Sequence, residues 1–324
     1  MLFNKNLIFI FFAINLLFIS CESDDKLTLC DEGYISLNSK DDCYSSQDSA
    51  ILDSIAQDNE LDFEDLSEFG YQEWTDGHLV ILDLSNENLT SISSELLSFQ
   101  TLQNLNLGFN QLSQIPISLS QIPTLQYLSL YSNNFIEFPS FLANSENLVS
   151  LYMSYNSLNT VSLANAELLE YLYLDNNNLD ELIIENLPTL HTLDLHNNLF
   201  SEIPNSIISP NGLNSLISVN LKSNQIISFD GNALCELNDG FIINLYENNI
   251  CSDNNLGTMS EVNCNNLGGI AIDCITNFFG SSCSCFEDLN NNGQFDNYDN
   301  FNIVDNIMYC SNGKEITLYL DSCD

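Results

Sequence analysis

LVSLYMSYNSL, residues 148–158, decides how this chain is read. Leu151 and Met153 are apolar and flank a single residue, Tyr152, which is the period of two of a strand with one buried face. Leu148 and Leu158 bracket the stretch with further apolar groups. Asn156 stands where such a strand must stop, and its short amide suits the backbone groups of a turn. Core building explains the leucines. It does not explain Tyr152 and Tyr155, which fall on positions that point away from them.

The stretch is one copy of a unit, LxxLxLxxNxL. Its other copies are LVILDLSNENL (79–89), LQNLNLGFNQL (102–112), LQYLSLYSNNF (125–135), LEYLYLDNNNL (169–179), LHTLDLHNNLF (190–200), LISVNLKSNQI (216–226) and GFIINLYENNI (240–250). Successive copies start 23, 23, 23, 21, 21, 26 and 24 residues apart. A unit of this pattern and length resembles the leucine-rich repeat, over a little more than half the chain. The resemblance implies an α/β solenoid: a horseshoe with a parallel β-sheet on the concave face and short helical or extended arcs on the convex face. The asparagine of the ninth position is Asn110, Asn133, Asn156, Asn177, Asn198, Asn224 and Asn248; the first unit has Glu87 there and Asn88 beside it, which predicts an irregular turn.

The arcs between strands, such as QLSQIPISLSQIPTL (111–125), carry prolines at 116, 139 and 204 that restrict the chain and remove donors. Residues 21–78 read as a tether and an N-terminal cap, with Cys30 and Cys43 spaced to close a small loop, a short amphipathic helix over 49–57, and Trp74 covering the open end of the core. The repeats occupy 79–250. Residues 251–324 read as a cysteine-rich C-terminal cap, since Cys251, Cys264, Cys274, Cys283, Cys285, Cys310 and Cys323 all fall there. Disulfides at the end of a stack would hold its exposed edge, and the sequence alone leaves their pairing open.

The chain opens MLFNKNLIFIFFAINLLFISC, with Lys5 before an apolar run, which reads as an export signal over 1–20. The ending Phe18-Ile19-Ser20-Cys21 resembles a bacterial lipobox, which implies lipid attachment at Cys21 and a cell-surface or outer-membrane lipoprotein. The chain has 11 cysteines, so using Cys21 leaves an even number for pairing in an oxidising compartment. Plain secretion after cleavage near the same place is the alternative. Ionisable groups are lopsided: 45 acidic residues face 5 lysines and no arginine, for a net charge of -40. Such a surface disfavours nucleic acid and bare anionic lipid, and it leaves basic proteins, divalent cations and neutral polar molecules as partners. Membrane contact is expected only through the lipid at Cys21.

In a strand with one buried face, the third, fifth, seventh and eighth positions of the unit look toward the concave side or its rim. Tyr127, Tyr131, Tyr152, Tyr155, Tyr171 and Tyr173 occupy such positions in three successive units, so they form one patch on strands about 4.8 Å apart. Tyrosine offers flat apolar area and an orienting hydroxyl at low entropic cost. Glu170, Asp175, Asp194, His191 and His196 border the patch, with Tyr246 further along. Asp194 and His196 share a strand face, as half of a catalytic pair would, yet no nucleophile with a recognisable frame accompanies them and HExxH, GxSxG and phosphate-loop motifs are absent. The reading is a non-catalytic module that binds an extracellular protein, peptide or glycan. The competing reading is a structural surface protein without a dedicated ligand, attached to neighbours through its C-terminal region.

One further motif lies in the tail. DLNNNGQFDNYD, residues 288–299, sets Asp288, Asn290, Asn292, Asp296 and Asp299 at the liganding places of a calcium loop, with Gln294 able to give a backbone carbonyl and Gly293 at the sharp turn. It resembles an EF-hand or dockerin-type loop, in a single copy, which implies a structural Ca2+ as the one expected cofactor.

Overall fold

A repeat of this kind cannot cover its own apolar residues; only a neighbour can. In the structure, a computed structural model, stacking does so. Leu82, Leu105, Leu128, Leu151, Leu172, Leu193, Val219 and Ile243 line up at the fourth position, none more than 1% exposed. Parallel rows form at the first, sixth and eleventh positions, Gly240 of the last repeat excepted, and their described apolar residues belong to one continuous core. The structure describes residues 30–248 except 37–41, 63–65, 209–211, 228, 230–232 and 235, and beyond them the backbone of five strands within 270–319. The export segment, Cys21 and the 288–299 loop lie outside the described residues, as do the side chains of the C-terminal cysteines.

The described chain opens with a small antiparallel pair, β1 (Tyr34–Ile35) and β2 (Tyr44–Ser45), beside the Cys30–Cys43 disulfide. Helix α1 (Ser46–Asp58) follows, with Ser45 Oγ accepting the Asp48 N–H at 3.2 Å as its N-cap. Ile51, Leu52, Ile55 and Ala56 share one face of α1 and bury it against the first repeat end of the core. Next come β3 (Tyr71–Thr75) and β4 (His78–Asp83), an antiparallel pair in which β4 is already the first repeat strand. Trp74 on β3 is partly buried against the core and meets the Tyr44 ring edge-on at 4.8 Å. Buried Asp48 joins helix to repeat by accepting the Leu79 N–H at 2.9 Å.

From β4 the sheet is parallel, through β5 (Asn104–Asn106), β6 (Tyr127–Ser129) and β7 (Ser150–Tyr152). Strand β8 (Thr160–Ala164) lies off this row, β9 (Tyr171–Tyr173) continues it, and β10 (Glu181–Glu185) pairs with β8. Then β11 (Thr192–Asp194), the single turn α2 (Asn205–Ile208), β12 (Ser218–Asn220) and β13 (Ile242–Asn244) complete the repeats. On the convex side the arcs are 3-10 turns at Ser94–Ser98, Ile117–Gln121 and Ser140–Asn144. The two arcs formed by β8 and β10 differ. Their units are the 21-residue ones, and in these shorter arcs Val161, Leu163, Leu182 and Ile184 alternate with exposed residues, as a half-buried strand requires.

After the repeats the sheet does not stop. The backbones of β14 (Ile270–Asn277), β15 (Gly280–Phe286), β16 (Phe301–Val304), β17 (Ile307–Cys310) and β18 (Glu315–Tyr319) form an antiparallel meander whose last strand pairs in parallel with β13. Strands β15 and β16 pair antiparallel on either side of residues 287–300.

What fixes repeat to repeat is the ninth-position amide. Asn177 Nδ2 donates to Met153 O of the preceding repeat (3.0 Å) and to Leu174 O and Asp175 O of its own turn (3.0 and 3.2 Å), while its Oδ1 accepts the Leu158 N–H at 3.0 Å. Asn110, Asn133, Asn156, Asn198, Asn224 and Asn248 make the same bonds one repeat after another. The first unit lacks this group, and its turn holds two left-handed residues, Asn86 (φ 63°) and Asn88 (φ 58°), where each later turn holds one. Its arc is tied instead by Asn59, just past α1, whose Oδ1 accepts the Thr90 and Ser91 N–H groups at 2.7 and 3.1 Å.

Removing a buried amide of this row strands carbonyl and N–H groups that water cannot reach. Asn177→Ala is expected to lower stability by about 1–3 kcal/mol in urea unfolding. Its exposed neighbour is the control: Asn178→Ala should stay within about 0.5 kcal/mol of the parent.

Candidate functional site on the concave sheet

The concave surface is built from the positions that the core does not claim. Third- and fifth-position side chains leave the sheet on the face opposite the leucines, and equivalent positions in adjacent repeats are register partners: Tyr127 with Ser150, Ser129 with Tyr152, Tyr152 with Tyr173, and Tyr173 with Asp194. The structure brings five of the six tyrosines into two rows of rings. Tyr127 and Tyr152 lie tilted at 5.0 Å, and Tyr152 and Tyr173 lie nearly parallel at 4.5 Å and 8°. Offset stacking at such separations is favourable for aromatic pairs. Tyr171 stands on the same sheet between the register partners Ser150 and Thr192, on the flank of the rows.

The second row is Phe109, Tyr131 and Tyr155, with ring centroids 5.0 Å apart at each step. Phe109 belongs to the patch although no tyrosine pattern announces it. The signal that would have found it is its eighth position in the unit, the place of Tyr155. This position has a special backbone. Asn86, Phe109, Ser132, Tyr155, Asn176, Asn197, Ser223 and Glu247 all occupy it, with φ between 53° and 63°. Asparagine tolerates the left-handed region, and bulky side chains are disfavoured there. Phe109 and Tyr155 hold it nonetheless, with 58% and 49% of their surface exposed. Neither burial nor backbone preference accounts for aromatic rings at these two places.

Beyond the rings the surface turns acidic. Asp175, on the seventh position, is buried; it accepts from the Ser154 hydroxyl through Oδ1 and from Asn176 Nδ2 through Oδ2 at 2.7 Å. Asp194 holds His196 by a 2.8 Å contact between Oδ1 and Nδ1, accepts the His196 backbone N–H at 3.1 Å, and takes Asn220 Nδ2 on Oδ2 at 3.3 Å. His196 Nε2 has Asn176 Nδ2 at 3.2 Å and lies 3.7 Å from Asp175 Oδ2, so one imidazole faces carboxylates of two neighbouring repeats. The ligand atoms of Asp175, Asp194 and His196 lie within 4.8 Å of one another, and together they could hold a metal ion. His191, on the second position, makes no contact with this cluster; its Nδ1 is buried without a hydrogen-bond partner. Tyr246 lies three strands beyond Asp175 in the seventh-position row, past His196 and Lys222.

Chemically the cluster is suited to holding, not to reacting. Ser154 is buried and donates its hydroxyl hydrogen bond to Asp175 rather than to His196, so it is not paired with the histidine as a nucleophile would be with its base. Burial holds the phenols of Tyr127, Tyr131, Tyr152 and Tyr173 above their ordinary value of 10.0. Neighbouring Tyr155 and Asp175 add to this at Tyr131, and Tyr152 and Asp194 add to it at Tyr173. The rings therefore stay neutral, and the charge of the site resides in its carboxylates. Among the described residues Lys222 is the single lysine, and its Nζ pairs with Glu247 at 3.0 Å.

Two outcomes test these assignments. A phenol with a raised folded-state value keeps its proton longer than in the unfolded chain, so its contribution to stability is complete below about pH 10 and is lost as pH rises through the folded value. The thermal midpoint should fall above about pH 10, and a Tyr152→Phe, Tyr173→Phe variant should show a shallower fall. Tyr155→Asn, which suits the left-handed backbone, should leave stability unchanged or raise it by up to about 1 kcal/mol in chemical unfolding.

Residues 75–219 match the model of the LRR repeats of the FBD-associated F-box protein At5g56370. Among solved structures, the LRR protein LIC12759 of Leptospira interrogans is similar at 26% identity, over 52% of this chain and 49% of that one, with a TM-score of 0.40. The chain thus aligns with about half the length of that protein. No curated protein matches it. By its repeated strand, its row of ninth-position asparagines and its continuous core, the fold of the described residues is a leucine-rich-repeat horseshoe.

Proposed function

We propose that the protein is a non-catalytic recognition module that binds an extracellular macromolecule on its concave sheet. The carrying observation is the pair of aromatic rows, Tyr127–Tyr152–Tyr173 and Phe109–Tyr131–Tyr155, set on the solvent side of consecutive repeats. Large rigid rings on a preformed surface supply contact area at small entropic cost on binding. Two of them occupy left-handed backbone that favours asparagine, which is the mark of a side chain retained for its surface rather than for its fold. Among the described residues no helix is long and apolar enough to cross a membrane. Export by residues 1–20, with a lipid at Cys21 or plain release, suits a module whose partners are outside the cell. Calcium in the 288–299 loop would serve the C-terminal strands and not the binding face.

The test is a binding screen against surface glycans and extracellular proteins, run beside a Tyr152→Ala, Tyr173→Ala variant. A partner bound by the parent should lose about ten-fold or more in affinity in the variant, while the thermal midpoint is retained. Undiminished binding by the variant would move the site off the concave face.

A further inference from the structure

We infer that the end of the tyrosine stack, where Tyr173 meets the Asp194 carboxylate with Asp175 on the far side of His196, is a receptor for an arginine side chain of a protein partner; this rests on the concave-face reading and narrows it to one ligand chemistry. Tyr152, Tyr173 and Asp194 are consecutive register partners, so they form one lateral row across three strands. Within that row the rings of Tyr152 and Tyr173 are stacked, 8° from parallel. One face of Tyr173 is therefore covered by Tyr152, and its other face is turned along the row toward Asp194. A ring face beside a carboxylate is a combination that a guanidinium satisfies twice, by stacking on the ring and by a charge-assisted hydrogen bond to Asp194 Oδ2, which accepts only from Asn220.

Electrostatics select the same ligand. Asp175 and Asp194 share a single imidazole, so the cluster stays net negative in either state of His196. Among the described residues no lysine fills the place: the sequence has no arginine, and Lys222 is engaged with Glu247. The raised phenols keep the stack uncharged, which leaves the ring faces as the electron-rich partner. A net charge of -40 would also speed the approach of a basic protein to this surface. A neutral sugar can stack on the open face of Tyr173 and donate hydroxyls to a carboxylate, but it gains nothing from the net charge of the cluster. Arginine uses both elements.

The probe is a short Gly/Ser peptide carrying arginines, compared with the same peptide carrying citrulline, which keeps the shape and lacks the charge. Fluorescence anisotropy at about 0.15 M salt suppresses long-range attraction. The arginine peptide should bind about ten-fold more tightly than the citrulline peptide. Tyr173→Leu and Asp194→Asn should each weaken it about ten-fold, and Tyr173→Phe, which keeps the ring, should not. Glu202→Gln removes one exposed charge away from the site and should have no effect; all variants are compared at unchanged circular dichroism. Equal binding of both peptides, or equal losses in Asp194→Asn and Glu202→Gln, would overturn the proposal by reducing the attraction to shape or to bulk charge. If arginine shows no preference while a neutral glycan or protein from the binding screen depends on Tyr152 and Tyr173, the arginine proposal falls and the concave-face reading stands. If no partner depends on those tyrosines, both fall.

Discussion

One amide per repeat carries the architecture. Where each strand ends, the chain must turn beneath its own core, and there the sixth-position carbonyl and the eleventh-position N–H have no partner in a ladder. The ninth-position asparagine satisfies both, the carbonyl through Nδ2 and the N–H of the preceding repeat through Oδ1, as Asn177 does for Met153 and Leu158. A group that bonds its own turn and its neighbour's fixes their offset as well as their energy. An unpaired buried N–H or carbonyl costs more than an average hydrogen bond returns, so this position tolerates little substitution. The first unit shows the consequence by exception: with Glu87 in that place, the turn takes a second left-handed residue and α1 lends Asn59 to the arc.

The aromatic patch on the concave face is a by-product of that offset. Because repeats are held in register, identical positions in consecutive units become lateral neighbours, and two tyrosines 21 residues apart, Tyr152 and Tyr173, become a stacked pair. The same turn sets the eighth residue in left-handed backbone, which brings Tyr155 and Phe109 beside the seventh-position Tyr131. Aromatic rows of this kind also add cross-strand stability. Their place on the solvent side of the sheet, and at Phe109 and Tyr155 an exposed left-handed backbone, distinguish them from the buried rows, where leucine suffices.

Much of this was legible beforehand. The repeat, its period, the helix before it, the Cys30–Cys43 link and the tyrosines on the solvent side all follow from local pattern, since each depends on residues close in sequence or equivalent in the repeat. Phe109 is marked by its eighth position in the unit and not by residue type, so a pattern of tyrosines does not reveal it. The 3.7 Å approach of His196 to Asp175 was not readable: the two belong to different repeats, and Asp194, two residues from His196, was its obvious partner. Nor was Ser154 visible as the donor to Asp175, which removes it from any catalytic reading of that histidine. The pairing of β8 with β10 escaped for a similar reason. Alternation marks each as a strand, but only stacking of two short repeats makes them partners.

By itself the sequence determined the unit: which residues are buried, where each strand ends, and which side chains are left over for solvent. Those are consequences of a two-residue period and of a single amide, and both are local. The tertiary structure decided which leftover side chains touch. It stacked Tyr152 on Tyr173, set one histidine between two carboxylates, and carried the sheet past β13 into the C-terminal strands. The physical reason is that contact across repeats depends on register and on the rotation of each unit over the next, and these are properties of the stacked core rather than of any one copy.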